Sequence, residues 1–350
     1  MRVVAKYQKA LEGQRVECLL CPHFCVLKEG QTGICRTREN VGGTLYSNAY
    51  GNPCSVAVDP IEKKPLFHFL PGSRILSIAT AGCNLRCLNC QNWSISQGSP
   101  SEVSAYELSP EVLIELALKE GTESIAFTYT EPTVFFEYML DTAKLAKQNG
   151  LKTVLISNGY INTEPLKELC KYMDAANIDL KVFDEDIYKK LTGAKLQPVL
   201  ETLKTLKAES VWLEITNLLV PGFSDEPVKI QELCNWLVIN GFSDVPLHFS
   251  RFSPSFKLPQ TVPTPPENLT RAYEIAKNAG IQFVYTGNLP GTSGENTQCP
   301  TCKKTLIERD GYRILSHALD GNRCSYCGTE IPGRWRLPAA SSGALRPEFN

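Results

Sequence analysis

The chain has 350 residues, 43% of them apolar and 21% charged, and 36 Lys plus Arg stand against 37 Asp plus Glu for a net charge of -1. That balance excludes a disordered tail protein and gives no bulk electrostatic attraction for nucleic acid or anionic lipid. No apolar run approaches the roughly 20 residues that span a bilayer, and the opening MRVVAKYQKALEGQRVE lacks the apolar core of a secretory signal, so the expected location is the cytoplasm.

The 14 cysteines are clustered. Short-spaced groups in a long chain bring several thiolates to one point, which suits a metal better than a disulfide framework. Residues 1–70 read as an irregular N-terminal module with strand-like pieces near 44–50 and 55–58. Within it Cys18, Cys21, Cys25 and Cys35 run C-x2-C-x3-C-x9-C, with His23 able to replace one ligand. Such a set suits either zinc or an auxiliary [4Fe-4S] cluster. The isolated Cys54, Cys170 and Cys234 read as small buried hydrophobes.

From 71 to 296 apolar strands alternate with amphipathic helices, the pattern of parallel β-α units. Strands are expected near 75–80, 124–128, 153–157, 175–180, 211–219, 246–251 and 282–285, and helices near 109–120, 133–149, 164–172, 198–208, 226–240 and 266–278. Ser109 and Pro110 mark one helix start and Gly150 another's end. Six or seven units are too few for a closed eightfold barrel, so the fold class is α/β, a partial (β/α)6-type barrel, with a doubly wound sheet as the fallback. In both, the working face lies at the carboxyl ends of the strands.

Directly after the first of these strands comes AGCNLRCLNCQNW, with Cys83, Cys87 and Cys90 in a C-x3-C-x2-C arrangement. A structural zinc needs four ligands, whereas a cubane held by three cysteines leaves one iron open to a ligand. Asp179 and Lys181 alternate along a strand, so both can face the interior while Leu180 packs outward. Two charges there are costly unless they meet a ligand or each other. In LHFSRF, His248 is a candidate for ligand contact or a satisfied core histidine, and the Arg251 fork suits a carboxylate. From 297 to 335 a module with Cys299, Cys302, Cys324 and Cys327 forms two C-x2-C knuckles, a zinc-ribbon or rubredoxin-like arrangement for zinc or iron, and 336–350 reads as a disordered tail.

The three-cysteine loop resembles that of the radical S-adenosylmethionine superfamily. The resemblance implies that the open iron chelates S-adenosylmethionine and that one electron cleaves it to a 5'-deoxyadenosyl radical. It extends through TYTEPTVFFEY, where Glu131 matches the carboxylate that binds the methionyl amino group, and KTVLISNGYI, where Asn158 follows Ser157 as in pyruvate formate-lyase activating enzymes. It places Asp179, Lys181, His248 and Arg251 among the cofactor-binding candidates. Two departures stand out: Asn89 where the superfamily often has an aromatic residue, and Ile156 where the activating enzymes have an Asp at a cation site.

Together with CLLCPHFC, DPIEKKPLFHFLPGS and the knuckles ending near PGRW, residues from about 15 to 335 resemble the AmmeMemoRadiSam system radical SAM enzymes. The resemblance implies an electron donor such as flavodoxin or ferredoxin and hydrogen abstraction from a substrate. That substrate is a protein backbone for a glycyl-radical-enzyme activase, or alternatively an RNA or small molecule. A metal-stapled binding module with a degenerate barrel is the non-enzymatic rival, and the intact three-cysteine loop argues against it.

Overall fold

The computed structural model describes residues 1–289 and 293–336, so the expected tail lies outside the described residues beyond Arg336. The chain divides into two compact units. The first comprises 1–59, 74–213 and 253–262; the second comprises 60–73, 214–252 and the chain from 263 onward.

The first unit is built on five sheet strands: β1 (Ser55–Pro60, whose last residue falls in the second unit), β2 (Arg74–Ala79), β3 (Ser124–Phe127), β4 (Lys152–Ser157) and β5 (Ala175–Asp179), in the order β5-β4-β3-β2-β1. β2 to β5 are parallel, with Ile78 paired to Phe127, Phe127 to Leu155, and Ser157 to Ile178. β3 is buried along its whole length, as a central parallel strand is expected to be. The crossover helices include Pro110–Lys119, Phe136–Gln148 and Thr163–Cys170. Ser109 caps the first, its hydroxyl accepting from the Val112 amide at 3.4 Å.

Three local features depart from the expected pattern. The helix at 133–149 opens with a 3-10 turn, Pro132–Phe135, because Pro132 follows Glu131. An unforeseen helix, Glu185–Thr192, is capped by Asp184 and ended by left-handed Gly193. The N-terminal stretch is more regular than its glycines suggest: it forms two small antiparallel sheets from strands such as Arg15–Cys18, Arg38–Val41 and Thr44–Ser47.

The second unit contains most of β6 (Trp212–Leu219, from Glu214 on), with β7 (Leu247–Arg251) and β8 (Val284–Gly287), all parallel. Helices Pro227–Ile239 and Pro266–Ala279 connect them. Strands Thr297–Gln298, Thr305–Asp310 and Arg313–His317 form an antiparallel sheet, followed by a hairpin at Leu319–Asp320 and Arg323–Cys324. Cys299, Leu306, Ile307 and Cys324 pack in one buried cluster with Phe67, Phe283 and Tyr285. Among the described residues no helix is long and apolar enough to cross a membrane.

Candidate active site

The register of β2 to β5 aligns their carboxyl ends, and the loops that leave those ends carry Cys83, Glu131, Asn158 and Lys181. The cysteine loop is pinned by backbone. The amides of Arg86 and Leu88 donate to the carbonyls of Thr192 and Leu191 at 2.8 and 2.9 Å, and the Lys257 amide donates to the Leu88 carbonyl at 3.0 Å. The Ser255 hydroxyl donates to the Cys90 carbonyl at 3.0 Å, and Phe256 stacks on Trp93 just past the loop. Gly82 starts the loop at φ +98, and a Cβ there would lie 2.5 Å from Thr37 Cγ2 and 2.6 Å from the Cys35 carbonyl oxygen. Only glycine meets both demands.

Cys83 is buried and Cys87 and Cys90 are partly so. Burial raises the Cys83 thiol well above its ordinary range. Burial also pushes the Cys87 thiol to about 11, although the nearby Lys181 ammonium works the other way. Cys83 and Cys87 are therefore neutral thiols that a metal would have to deprotonate. Asn158 reaches this loop directly: its Nδ2 donates to Asn84 Oδ1 at 2.9 Å and lies 3.8 Å from Cys83 Sγ.

Glu131 is fully buried, yet four donors converge on its carboxylate. Oε1 accepts from the Thr133 amide at 3.0 Å, the Thr133 hydroxyl at 2.7 Å and the Ser157 hydroxyl at 2.8 Å, while Oε2 accepts from the Asn158 amide at 2.9 Å. Glu131 thus caps the Pro132–Phe135 turn and ties the ends of β3 and β4 together. Burial raises its carboxyl, and the Asn158 and Thr133 donors oppose that rise. Lys181 and Asp179 meet each other at 2.6 Å. Burial pulls the ammonium down, but Asp179 and Cys87 outweigh it and hold Lys181 protonated above its usual range.

His248 and Arg251 belong to the second unit. The His248 ring nitrogen Nε2 lies 2.7 Å from Glu214 Oε2 in a buried pair, and Arg251 Nε donates to the Thr264 carbonyl at 2.9 Å. Glu214 also accepts from the amides of Phe67 and His68 at 3.0 and 2.8 Å. His68 donates from Nδ1 to the Pro332 carbonyl at 2.7 Å and accepts from the Tyr285 hydroxyl at 2.6 Å, an assignment set by Pro332 being an acceptor only.

Several participants were not singled out in the sequence. Asn84 sits between two of the cluster cysteines and could have been suspected from that position alone. Tyr188 could not: its hydroxyl is buried without a partner among the described residues, and burial, with Cys87 and Asp179 after it, disfavours its ionisation. Asn89 Oδ1, inside the cysteine loop, is a second buried atom without a partner. Three thiols on one pinned loop with two orphaned polar atoms beside them suit a bound group that supplies iron and further hydrogen-bonding atoms.

In the C-terminal module the sulfurs of Cys299 and Cys327 lie 3.6 Å apart and those of Cys302 and Cys324 lie 3.7 Å apart. All four fall within 4.8 Å of one another. Sulfurs about 2.3 Å from a single tetrahedral ion are separated by about 3.8 Å, so this is the geometry of one metal ion. The Thr329 hydroxyl and amide hold the exposed Cys327 thiol down at about 6.

The site is thus a parallel α/β sheet with three cysteines on the loop at the carboxyl end of β2. The Radical SAM superfamily model matches residues 77–234. An uncharacterized protein of Methanocaldococcus jannaschii is 46% identical over 333 residues, covering 95% of this chain and 99% of its own. The pyruvate formate-lyase-activating enzyme of Staphylococcus epidermidis is 32% identical over 194 residues, covering 51% of this chain and 76% of its own. A solved domain of pyruvate-formate lyase-activating enzyme from Bacteroides vulgatus aligns with 16% identity and a TM-score of 0.40, over 47% of this chain and 99% of its own. The chain belongs to the radical SAM superfamily and is an enzyme of that class, whose members use S-adenosylmethionine and a [4Fe-4S] cluster.

Proposed function

We propose that Cys83, Cys87 and Cys90 hold the catalytic [4Fe-4S] cluster and that the enzyme abstracts hydrogen from a protein substrate, in the manner of an activating enzyme. The observation that carries this reading is the pinned three-thiol loop with Asn89 Oδ1 and Tyr188 OH left without partners beside it. When bound, the cluster and S-adenosylmethionine supply one-electron cleavage to a 5'-deoxyadenosyl radical. The chain's own residues orient and shield. Glu131 and Asn158 place the ends of β3 and β4 against Cys83 and offer contacts to the cofactor's amino acid moiety. Lys181, charged and beside Cys87, offers a cation to a carboxylate, with Asp179 keeping it protonated and aimed. Residues 71–296 supply the chemistry, and 1–70 and 297–335 supply metal modules, the second with zinc.

The similarity to activating enzymes, which runs over about half of this chain, supports a protein substrate. The reductant is a one-electron carrier of the flavodoxin or ferredoxin class, and the compartment is the cytoplasm. Anaerobic reconstitution with iron and sulfide, then reduction in the presence of S-adenosylmethionine, should release 5'-deoxyadenosine. A fully loaded, folded protein that releases none would overturn the reading.

A further inference from the structure

The four N-terminal cysteines converge on a space of their own. Cys18, Cys21, Cys25 and Cys35 line one cavity with Leu20, Ile34, Val134 and His23, all within the first unit. Gly33 forms its floor: a Cβ there would lie 3.6 Å from Cys35 Sγ and 3.7 Å from Cys25 Sγ. The frame is rigid, since the Cys18 amide donates to the Cys25 carbonyl at 2.9 Å and the Gly33 amide donates to the Arg38 carbonyl at 2.8 Å. Asn162 fastens the first knuckle, its side chain and amide donating to the carbonyls of Leu19 and Leu20 at 2.7 and 3.0 Å.

Arg38 brings a hydrogen-bond donor to this cavity. Its side chain is buried and lines the cavity; Nη1 donates to the Lys6 carbonyl at 2.9 Å and Nη2 donates to Glu137 at 2.6 Å, while Nε has no partner among the described residues. A buried guanidinium N–H without an acceptor suits a hydrogen-bond acceptor, and a thiolate sulfur of a metal centre is one. The Thr37 hydroxyl adds a donor 3.2 Å from Cys35 Sγ. Spacing then separates one ion from several. Among the described residues the C-terminal four gather their sulfurs within 4.8 Å, whereas neither the N-terminal four nor the Cys83, Cys87, Cys90 trio is gathered so tightly. Cysteines of a cubane each bind a different iron and stand farther apart than those around a single ion.

We infer that Cys18, Cys21, Cys25 and Cys35 hold a second [4Fe-4S] cluster, fully ligated by protein, in a frame shared with the catalytic loop. The sharing is physical. Asn84, between Cys83 and Cys87, lines the N-terminal cavity and accepts the His23 ring nitrogen at 2.7 Å on its carbonyl, and the Arg86 guanidinium donates to the Ile34 carbonyl. Gly82 packs against the Cys35 carbonyl. This inference rests on the assignment of the trio to the catalytic cluster, and the test separates the two.

The test is metal and acid-labile sulfide analysis of the full chain after anaerobic reconstitution with iron, sulfide and zinc all offered. The wild type should hold about eight iron and eight sulfide per chain. The Cys83→Ala/Cys87→Ala/Cys90→Ala variant should keep about four of each, with iron-sulfur absorption that disappears when Cys21→Ala is added. Circular dichroism and the C-terminal metal report that each variant is folded. Zinc without sulfide at the N-terminal cysteines, or a folded triple variant with no iron there, would overturn the inference. Release of 5'-deoxyadenosine by the wild type reports on the catalytic reading alone, whichever result the sulfide gives.

Discussion

The loop after β2 and the C-terminal knuckles use the same side chain for different coordination problems. In the loop, three thiols sit on one short segment beside polar atoms without partners, and the shell they offer is incomplete. In the knuckles, four sulfurs already stand at the separations of a single tetrahedral ion, inside a cluster built from Phe67, Leu306 and Ile307. An incomplete shell leaves room for a reacting ligand, while a complete one leaves only structure. The count of thiols and their spacing, rather than their chemistry, distinguish the two regions.

The sharpest way to break that comparison is Cys87→Ala. Release of 5'-deoxyadenosine should fall to background and iron should drop by about four per chain, with circular dichroism unchanged. Retained turnover would show that the trio is not the reacting centre. On the other side, Cys299→Ala with Cys302→Ala should cost one metal ion and lower Tm by about 10 °C or more, since the binding energy of a structural metal is folding energy. Cofactor cleavage measured below the new Tm should persist. If it vanishes while the fold holds, the knuckles conduct electrons and the contrast fails.

A third measurement probes the buried network that the knuckle-bearing unit builds around Glu214. Burial lowers His68 to about 4, against about 6.5 in an unfolded chain, so the folded state binds fewer protons between those values. Stability should therefore be complete above pH 6.5 and decline as pH falls toward 4, by about 3 kcal/mol in total, read from urea unfolding at stepped pH. His68→Gln should flatten that part of the profile; an unchanged slope would assign the acid sensitivity elsewhere.

The smallest effect is expected at Glu131→Gln, which sets an amide NH2 among four converging donors and should cost about 1–3 kcal/mol. Because Glu131 also faces the cluster loop through Asn158, binding of S-adenosylmethionine, followed by equilibrium dialysis of reconstituted protein, should weaken by a larger factor than the stability loss alone explains. A fall in Tm with unchanged binding would reduce Glu131 to a cap.

How much of this was legible beforehand differs by element. The seven strands from β2 to β8 lie within a few residues of their expected places, because buried parallel strands are continuous apolar runs broken by strong turn and cap signals such as Ser109-Pro110. The helix Glu185–Thr192 was not anticipated, its short amphipathic pattern lying directly behind the charged Asp179 to Lys181 segment.

Sequence by itself determined the chemistry that depends on local spacing: C-x3-C-x2-C after a strand, two C-x2-C knuckles, Asp179 and Lys181 on one face. Those constraints act over a few residues, and covalent geometry transmits them directly. Only the tertiary structure decided the long-range pairings. It joined Arg38 to Glu137, Tyr188 to the surroundings of Cys87, and His248 to Glu214. It also brought His23 to the carbonyl of Asn84, so that two cysteine clusters 48 residues apart, counted from Cys35 to Cys83, share one frame. Such partners meet because burial of apolar strands forces their flanking polar groups to find each other, and no local pattern records which partner is found.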